Sequence, residues 1–291
     1  MQYLETVLTE YPRINELQNV ERCALVQVSG AGMVVPQYTY AAGGRLYIAE
    51  KIKDQWQLRE ETDVAATAEE LQVLVGNSPL SNANFNLLLT KPETMVLFAL
   101  LDHCRCQFLG ESLGAAQLKL VATTEEVAAK AAQPLPGSLC ELFAMYAENT
   151  NANDVAEGLA GLTEKGLCKV ENGKCALRKD VAALARGLVA IHSSALVQLW
   201  DSSGNSVRNL TGYVLQGSLH DIIMTTLYGN AIRVRAMSSQ ELLGVFRGAM
   251  ACPELPEAEE EKSSDVPNFC GNCGVKLKPG SKFCANCGAK V

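Results

Sequence analysis

Residues 140–178 read CELFAMYAENTNANDVAEGLAGLTEKGLCKVENGKCALR, and the rest of the chain arranges itself around them. The stretch from Cys140 is apolar enough for a helix, and the run ENTNAN is a polar turn. Asn151 or Asn153 then offers an oxygen to cap a second helix, because a short polar side chain there satisfies orphan amides. In that helix Val155, Leu159 and Leu162 keep a three-to-four spacing, which puts them on one face. Gly166 is placed as the residue that ends it in a left-handed conformation. Asn172-Gly173, flanked by LCKV and CALR, is a type I′ hairpin signal, since both central residues must take positive φ.

Helix, turn, helix and hairpin over 138–187 form the outline of a winged helix, and that outline first raises DNA. A helix that reads DNA turns Arg, Lys, Asn or Gln outward to base edges and phosphates. Here the outward positions are Glu157, Ala160, Glu164 and Lys165, with Asp154 adding an acid. The hairpin does carry Lys169, Lys174, Arg178 and Lys179. The chain as a whole is at −7, which opposes bulk affinity for nucleic acid or anionic lipid. Winged-helix shapes also bind proteins, so the outline alone does not decide the partner.

Two strand-rich stretches flank this middle. The first has runs at 23–29, 33–41, 45–52 and 55–60, separated by Gly30-Ala31-Gly32, Gly43-Gly44 and Lys53-Asp54, and closes with a helix over 68–76. Pro36 places an edge or a bulge in the second run. The second stretch has runs at 194–200, 206–216, 219–227 and 231–236, with turns at 202–205, Gly217-Ser218 and Gly229-Asn230, and a helix over 238–248. Ala24-Leu25-Val26-Gln27 returns as Ala195-Leu196-Val197-Gln198, and Glu70-Leu71 as Glu241-Leu242, both 171 residues on. An internal repeat of 23–76 and 194–248 is therefore expected, whose two meanders either share a sheet or pack as two. A helix over 1–20 precedes the first unit. Thr90 and Glu93 make a capping box for a nearly all-apolar helix over 91–108, so that helix is expected to be buried. Helices over 123–132 and 138–148 follow it. The fold class is α+β: two similar antiparallel β-meander-plus-helix units flanking a helical, winged-helix-like middle, with the body spanning 1–250.

The tail differs in composition. Residues 251–267 contain three prolines and an acidic run and read as a solvated linker, with an acidic interaction motif as the alternative. With −7 on the whole chain, −5 in 252–267 and +4 in 268–291, the rest carries −6. No apolar run reaches the ~18–20 residues of a membrane helix, and the first residues have no basic start, so no signal peptide is expected. Eleven cysteines in such a chain point to a reducing, cytoplasmic setting, with metal ligation or burial as their uses.

Four of them define chemistry. In FCGNCGVKLKPGSKFCANCGAKV (269–291), Cys270, Cys273, Cys284 and Cys287 give C-x2-C-x10-C-x2-C. Gly274 and Gly288 follow the pairs and permit knuckles that aim two sulfurs at one ion, while Pro279-Gly280 can turn the intervening hairpin. Four thiolates suit one structural Zn²⁺ with no open position for catalysis; an iron site or two disulfides are the alternatives. So short a segment takes most of its folding free energy from the metal. It resembles the short zinc-ribbon family, differing at Gly271 and Ala285, and the resemblance implies zinc and an attached module.

The other thiols are weaker signals. His103, Cys104 and Cys106 read like a cluster, but helical residues two apart diverge by ~200°. Cys168 and Cys175 fall diagonally on one face of the hairpin and read as core. His103, His192 and His220 sit in no metalloprotease or nucleophile-elbow context, and His220-Asp221 in a strand would face opposite ways. With no phosphate loop or dinucleotide fingerprint either, no enzyme is expected.

The order of elements over 85–248 is a second resemblance. LLLTKPE (87–93), the unit ending TEKGLCKVENGKCALR and a meander closed by a helix together resemble half of a cytosolic chaperone of type VII secretion systems. That resemblance implies a non-enzymatic adaptor for small helical secretion substrates. The competing reading is a winged-helix transcriptional regulator.

Overall fold

Four strands come first: β1 (Val20–Gly30), β2 (Met33–Ala42), β3 (Arg45–Ile52) and β4 (Gln55–Glu61), each antiparallel to the one before. They belong to a computed structural model that describes residues 20–52, 55–115, 117–144, 152–202, 207–228 and 231–255. The expected helix over 1–20 and the turns at Lys53-Asp54, 202–205 and Gly229-Asn230 lie wholly or mostly outside those residues. Pro36 pairs with Gln27 of β1, but β3 meets β2 only over Tyr38–Ala42. An interior strand thus has a local edge where its proline has no amide to donate. Two short helices follow, α1 (Val64–Glu70) and α2 (Gln72–Val75), where the sequence pattern had one.

The middle of the chain is mostly helical. After β5 (Phe85–Leu89) comes α3 (Lys91–Ser112), opened by the expected capping box: the Thr90 hydroxyl accepts from the Glu93 amide, and the Glu93 carboxylate accepts from the Thr90 amide. From Met95 to Leu101 every side chain of α3 is buried. A short strand β6 (Val121–Thr123) leads to α4 (Thr124–Ala132), α5 (Leu139–Ala144) and α6 (Ala152–Glu164). Then come β7 (Cys168–Glu171), β8 (Lys174–Leu177) and α7 (Lys179–Gly187). Asn172 and Gly173 have φ of 49° and 69°, so the turn has the positive φ pair that Asn-Gly announces. The three short strands form one sheet ordered β6-β8-β7. Its third strand, β6, comes from before residue 138, outside the stretch the sequence marked. On α6, Val155, Leu159 and Leu162 are buried, as their spacing required.

The chain returns to strands with β9 (Ser193–Asp201), β10 (Arg208–Ser218), β11 (Asp221–Tyr228) and β12 (Ala231–Met237), followed by α8 (Ser239–Met250). All the long strands join one nine-stranded antiparallel sheet, ordered β4-β3-β2-β1-β9-β10-β11-β12-β5. Of the two arrangements open to the meanders, they take the shared sheet, joined where β1 pairs with β9. In that pairing Val26 lies opposite Val197, Leu25 opposite Gln198 and Gln27 opposite Leu196.

The β10–β11 connection corrects the sequence reading. The turn is Leu219-His220, not Gly217-Ser218, and Ser218 pairs with Asp221 across it. Gly217 is needed for another reason: a Cβ there would sit 1.9 Å from the Gly187 carbonyl oxygen at the end of α7. Its glycine serves close packing rather than chain reversal.

Two main cores result. One lies under α1, α2 and α8 and contains Ala24, Val26, Val28, Ala195, Val197 and Leu199 from one face of the sheet. The other joins α3–α7 to Phe85, Leu89, Ile223, Ile232 and Val234 at the β5 end. The chain divides into two compact units, residues 1–255 and 256–291. Cys252 and Leu255 are buried in the first unit, and the Leu255 amide donates to buried Asp201 at 2.8 Å. The body therefore runs a few residues past the expected boundary at 250.

Candidate functional site

Strand β9 alternates without a break. Ser193, Ala195, Val197, Leu199 and Asp201 are buried, while Ser194, Leu196, Gln198 and Trp200 are half-buried. Successive strand residues face opposite ways, so along β9 one face of the central sheet remains partly accessible. The register extends that face sideways. Gln27 and Ser29 of β1 lie beside Leu196 and Ser194, and Tyr213 and Leu215 of β10 lie on their other side. All are half-buried. The row is aromatic, aliphatic and uncharged polar, and it contains no Lys, Arg, Asp or Glu.

A hollow of about 290 Å³ sits on this face, floored by Gln27, Leu196, Tyr213 and Thr225 and walled by Leu142 and Phe143 of α5. The wall is held by a buried carboxylate. Asp102 of α3 accepts from the Leu139 and Cys140 amides at 2.9 and 3.0 Å and from Arg105 Nη1 at 2.7 Å. Arg105 Nε in turn donates to the Leu188 carbonyl. Phe143 stacks on Phe98 with centroids 4.1 Å apart. One charge thus ties α5 to α3 and to the end of α7, which fixes the side of the hollow.

Helix α6 is seated by glycines. Gly158 and Gly161 face α3 so closely that a Cβ would meet the Pro92 carbonyl oxygen at 2.5 Å and Glu93 Oε1 at 2.0 Å. Lys165, read from sequence as outward, pairs with the buried Glu93 carboxylate. Glu157, Ala160 and Glu164 are exposed.

The remaining singled-out residues fall apart in space. His103 Nε2 is within 3.0 Å of the Lys119 carbonyl, Cys104 is buried, and Cys106 is exposed. Burial pushes the Cys104 thiol up to about 11 and that of Cys252 to about 12, which leaves both protonated at neutral pH. Cys175 lies opposite Val170 rather than Cys168, so the two thiols are diagonal. His220 is in a turn, not a strand. Its Nε2 lies 3.0 Å from the Ser78 hydroxyl, while Asp221 accepts from Asn82 and Ser218. These contacts pin the loop after α2 against the β10–β11 turn. No group of three or more metal-ligating side chains occurs among the described residues. Cys270, Cys273, Cys284 and Cys287 lie outside them.

Comparison with known proteins defines the tail first. Residues 269–291 match the family model of the zinc-ribbon domain, so the chain carries a zinc-ribbon segment at its C-terminal end. No curated protein matches the chain. Among solved structures it is similar to the Mycobacterium tuberculosis type VII secretion system chaperone EspG5, solved in complex with a PE25-PPE41 dimer. Identity is 10%, the match covers 84% of this chain and 79% of that one, and the TM-score is 0.42.

Proposed function

We propose that this protein is a non-enzymatic, cytoplasmic adaptor that binds helical protein partners on the half-buried face of its central sheet. The observation that carries the reading is the charge-free row of Gln27, Leu196, Gln198, Trp200, Tyr213 and Leu215. Protein interfaces deplete charge at their centres and favour aromatic residues, whereas nucleic-acid surfaces present cations. The acidic outer positions of α6 weigh against the transcriptional regulator, even though the β6-β8-β7 sheet and its helices suit a winged helix. The resemblance of the element order over 85–248 to half of a type VII secretion chaperone implies small helical secretion substrates as the partner, with the protein as their chaperone. The meander units 23–76 and 194–248 are read as a repeat, since the two copies of Ala-Leu-Val-Gln meet across the β1–β9 junction.

In the tail, Cys270, Cys273, Cys284 and Cys287 are the ligands we assign to one Zn²⁺. The donor set fits: four soft thiolates in paired x2 spacing suit a closed tetrahedral site. Bound there, zinc supplies structure and no reaction.

Affinity purification from the native host tests the adaptor, with Leu196→Arg as the comparison. Small helical proteins should co-purify with the wild type, resist nuclease, and be lost from the variant. Salt-sensitive duplex DNA binding at submicromolar concentration would overturn the reading. For the tail, one zinc per chain should fall to none in Cys270→Ser with the body's thermal transition unmoved; retained zinc would refute the ligand set.

A further inference from the structure

A second surface lies away from the sheet, between α4 and α6. Thr124, Glu125 and Ala128 form one wall, Val155, Ala156, Leu159, Ala160 and Thr163 the other, and Val170 of β7 closes the end of a groove of about 700 Å³. Val155 and Leu159 are only 5% and 6% exposed and make its floor, while Ala156 and Ala160 are exposed at its lip. Alanines at the lip let another backbone come close. The α6 wall is firm, because its other side is locked on α3 through Gly158 and Gly161.

Charge selects the occupant. Glu125 is the one charged side chain among the described lining residues. Its carboxylate accepts from the Thr124 hydroxyl at 3.2 Å, and hydrogen bonds from its own amide and from Thr123 and Thr124 hold it below the usual carboxylate range. Glu157 and Glu164 are also exposed on α6. Among the described residues, none of these three has an ion-pair partner. Apolar walls with the Glu125 carboxylate at their rim are complementary to an amphipathic helix carrying Lys or Arg beside its aliphatic stripe.

We infer that the α4–α6 groove is a docking site for a basic amphipathic helix of a partner protein. The aliphatic stripe lies over Leu159 and the lip alanines, and a cation of the helix meets Glu125. The site goes beyond the sheet-face reading and does not depend on it.

The probe is a fluorescein-labelled amphipathic peptide of leucine and lysine, about 18 residues long so that it can hold a helix. A leucine/glutamate counterpart of equal length is the control. Anisotropy is read on the full chain near 0.15 M salt, where the Debye length of about 8 Å screens long-range attraction. The Leu/Lys peptide should bind and the Leu/Glu peptide should not. Ala156→Leu with Ala160→Leu fills the groove at constant charge and should weaken binding about tenfold or more, or ~1.4 kcal/mol. Glu125→Gln, a surface change that spares the fold, should weaken it severalfold. Glu70→Gln on α1, an equal loss of one exposed carboxylate outside the groove, should leave it unchanged. No Leu/Lys binding, equal binding of both peptides, or undiminished binding to the filled variant would each overturn the inference.

Discussion

Gly158→Ala on α6 should destabilise the protein although it improves the helix. In an open helical position glycine-to-alanine gains up to ~1 kcal/mol. Gly244 of α8 is such a position, since a Cβ added there would meet nothing within 4 Å. At Gly158 the new methyl would stand 2.5 Å from the Pro92 carbonyl oxygen and 2.7 Å from Val96 Cγ2. The Pro92 oxygen is backbone in the first turn of α3, fixed by the Thr90–Glu93 box, so it cannot swing aside. The helices must separate, and overpacking of this kind costs ~1–3 kcal/mol against the smaller propensity gain. Gly158→Ala should lose about 1–2 kcal/mol net, while Gly244→Ala gains up to ~1. Urea unfolding followed by circular dichroism reads both at constant m-value. At ~2–4 °C per kcal/mol the two melting temperatures should shift in opposite directions. If Gly158→Ala matched or exceeded the wild type, the close α3–α6 seating would be wrong.

Asp102→Ala removes one partner of a buried ion pair and uncaps α5, so unfolding free energy should fall by ~3–5 kcal/mol. A fall below ~1 kcal/mol would show that the carboxylate does not hold the α5 wall. For Glu241, the Ser238 amide hydrogen bond, opposed by partial burial and helped by Arg235, lowers the carboxyl pKa. A folded pKa below the unfolded one contributes stability at neutral pH that is lost as pH falls through the carboxylate range. Glu241→Gln should therefore lower stability at pH 7 and flatten its acid decline. An unchanged acid slope in stability measured from pH 7 to pH 3 would exclude that role.

What the sequence made legible was local. The Asn172-Gly173 turn, the Thr90–Glu93 box and the core stripe of α6 each depend on residues within one or two turns of the chain, and their chemistry is written in order. The β1–β9 pairing depends on strands about 170 residues apart, and no short-range pattern says whether two meanders share a sheet. The β10–β11 turn misled because Gly217 is glycine for its contact with Gly187, a tertiary demand that looks like a turn signal. Lys165 faces outward by periodicity, yet its long side chain reaches back to Glu93. The sheet face was hidden for another reason. Alternation in 193–201 is visible, but a face acquires a width only once its neighbours β1 and β10 are known.

That width has a symmetry of its own. Val26 and Val197 face each other, Leu25 meets Gln198, and Gln27 meets Leu196, so exchanging the two strands returns the same pairs. The β1–β9 junction is locally a palindrome, presenting one Leu–Gln pattern twice in opposite directions. A surface of that kind offers two equivalent orientations to anything laid across it. Among what breaks that symmetry beside the hollow is the α5 wall, held by Asp102. On the adaptor reading proposed above, the carboxylate that stabilises that wall also biases the orientation of a partner.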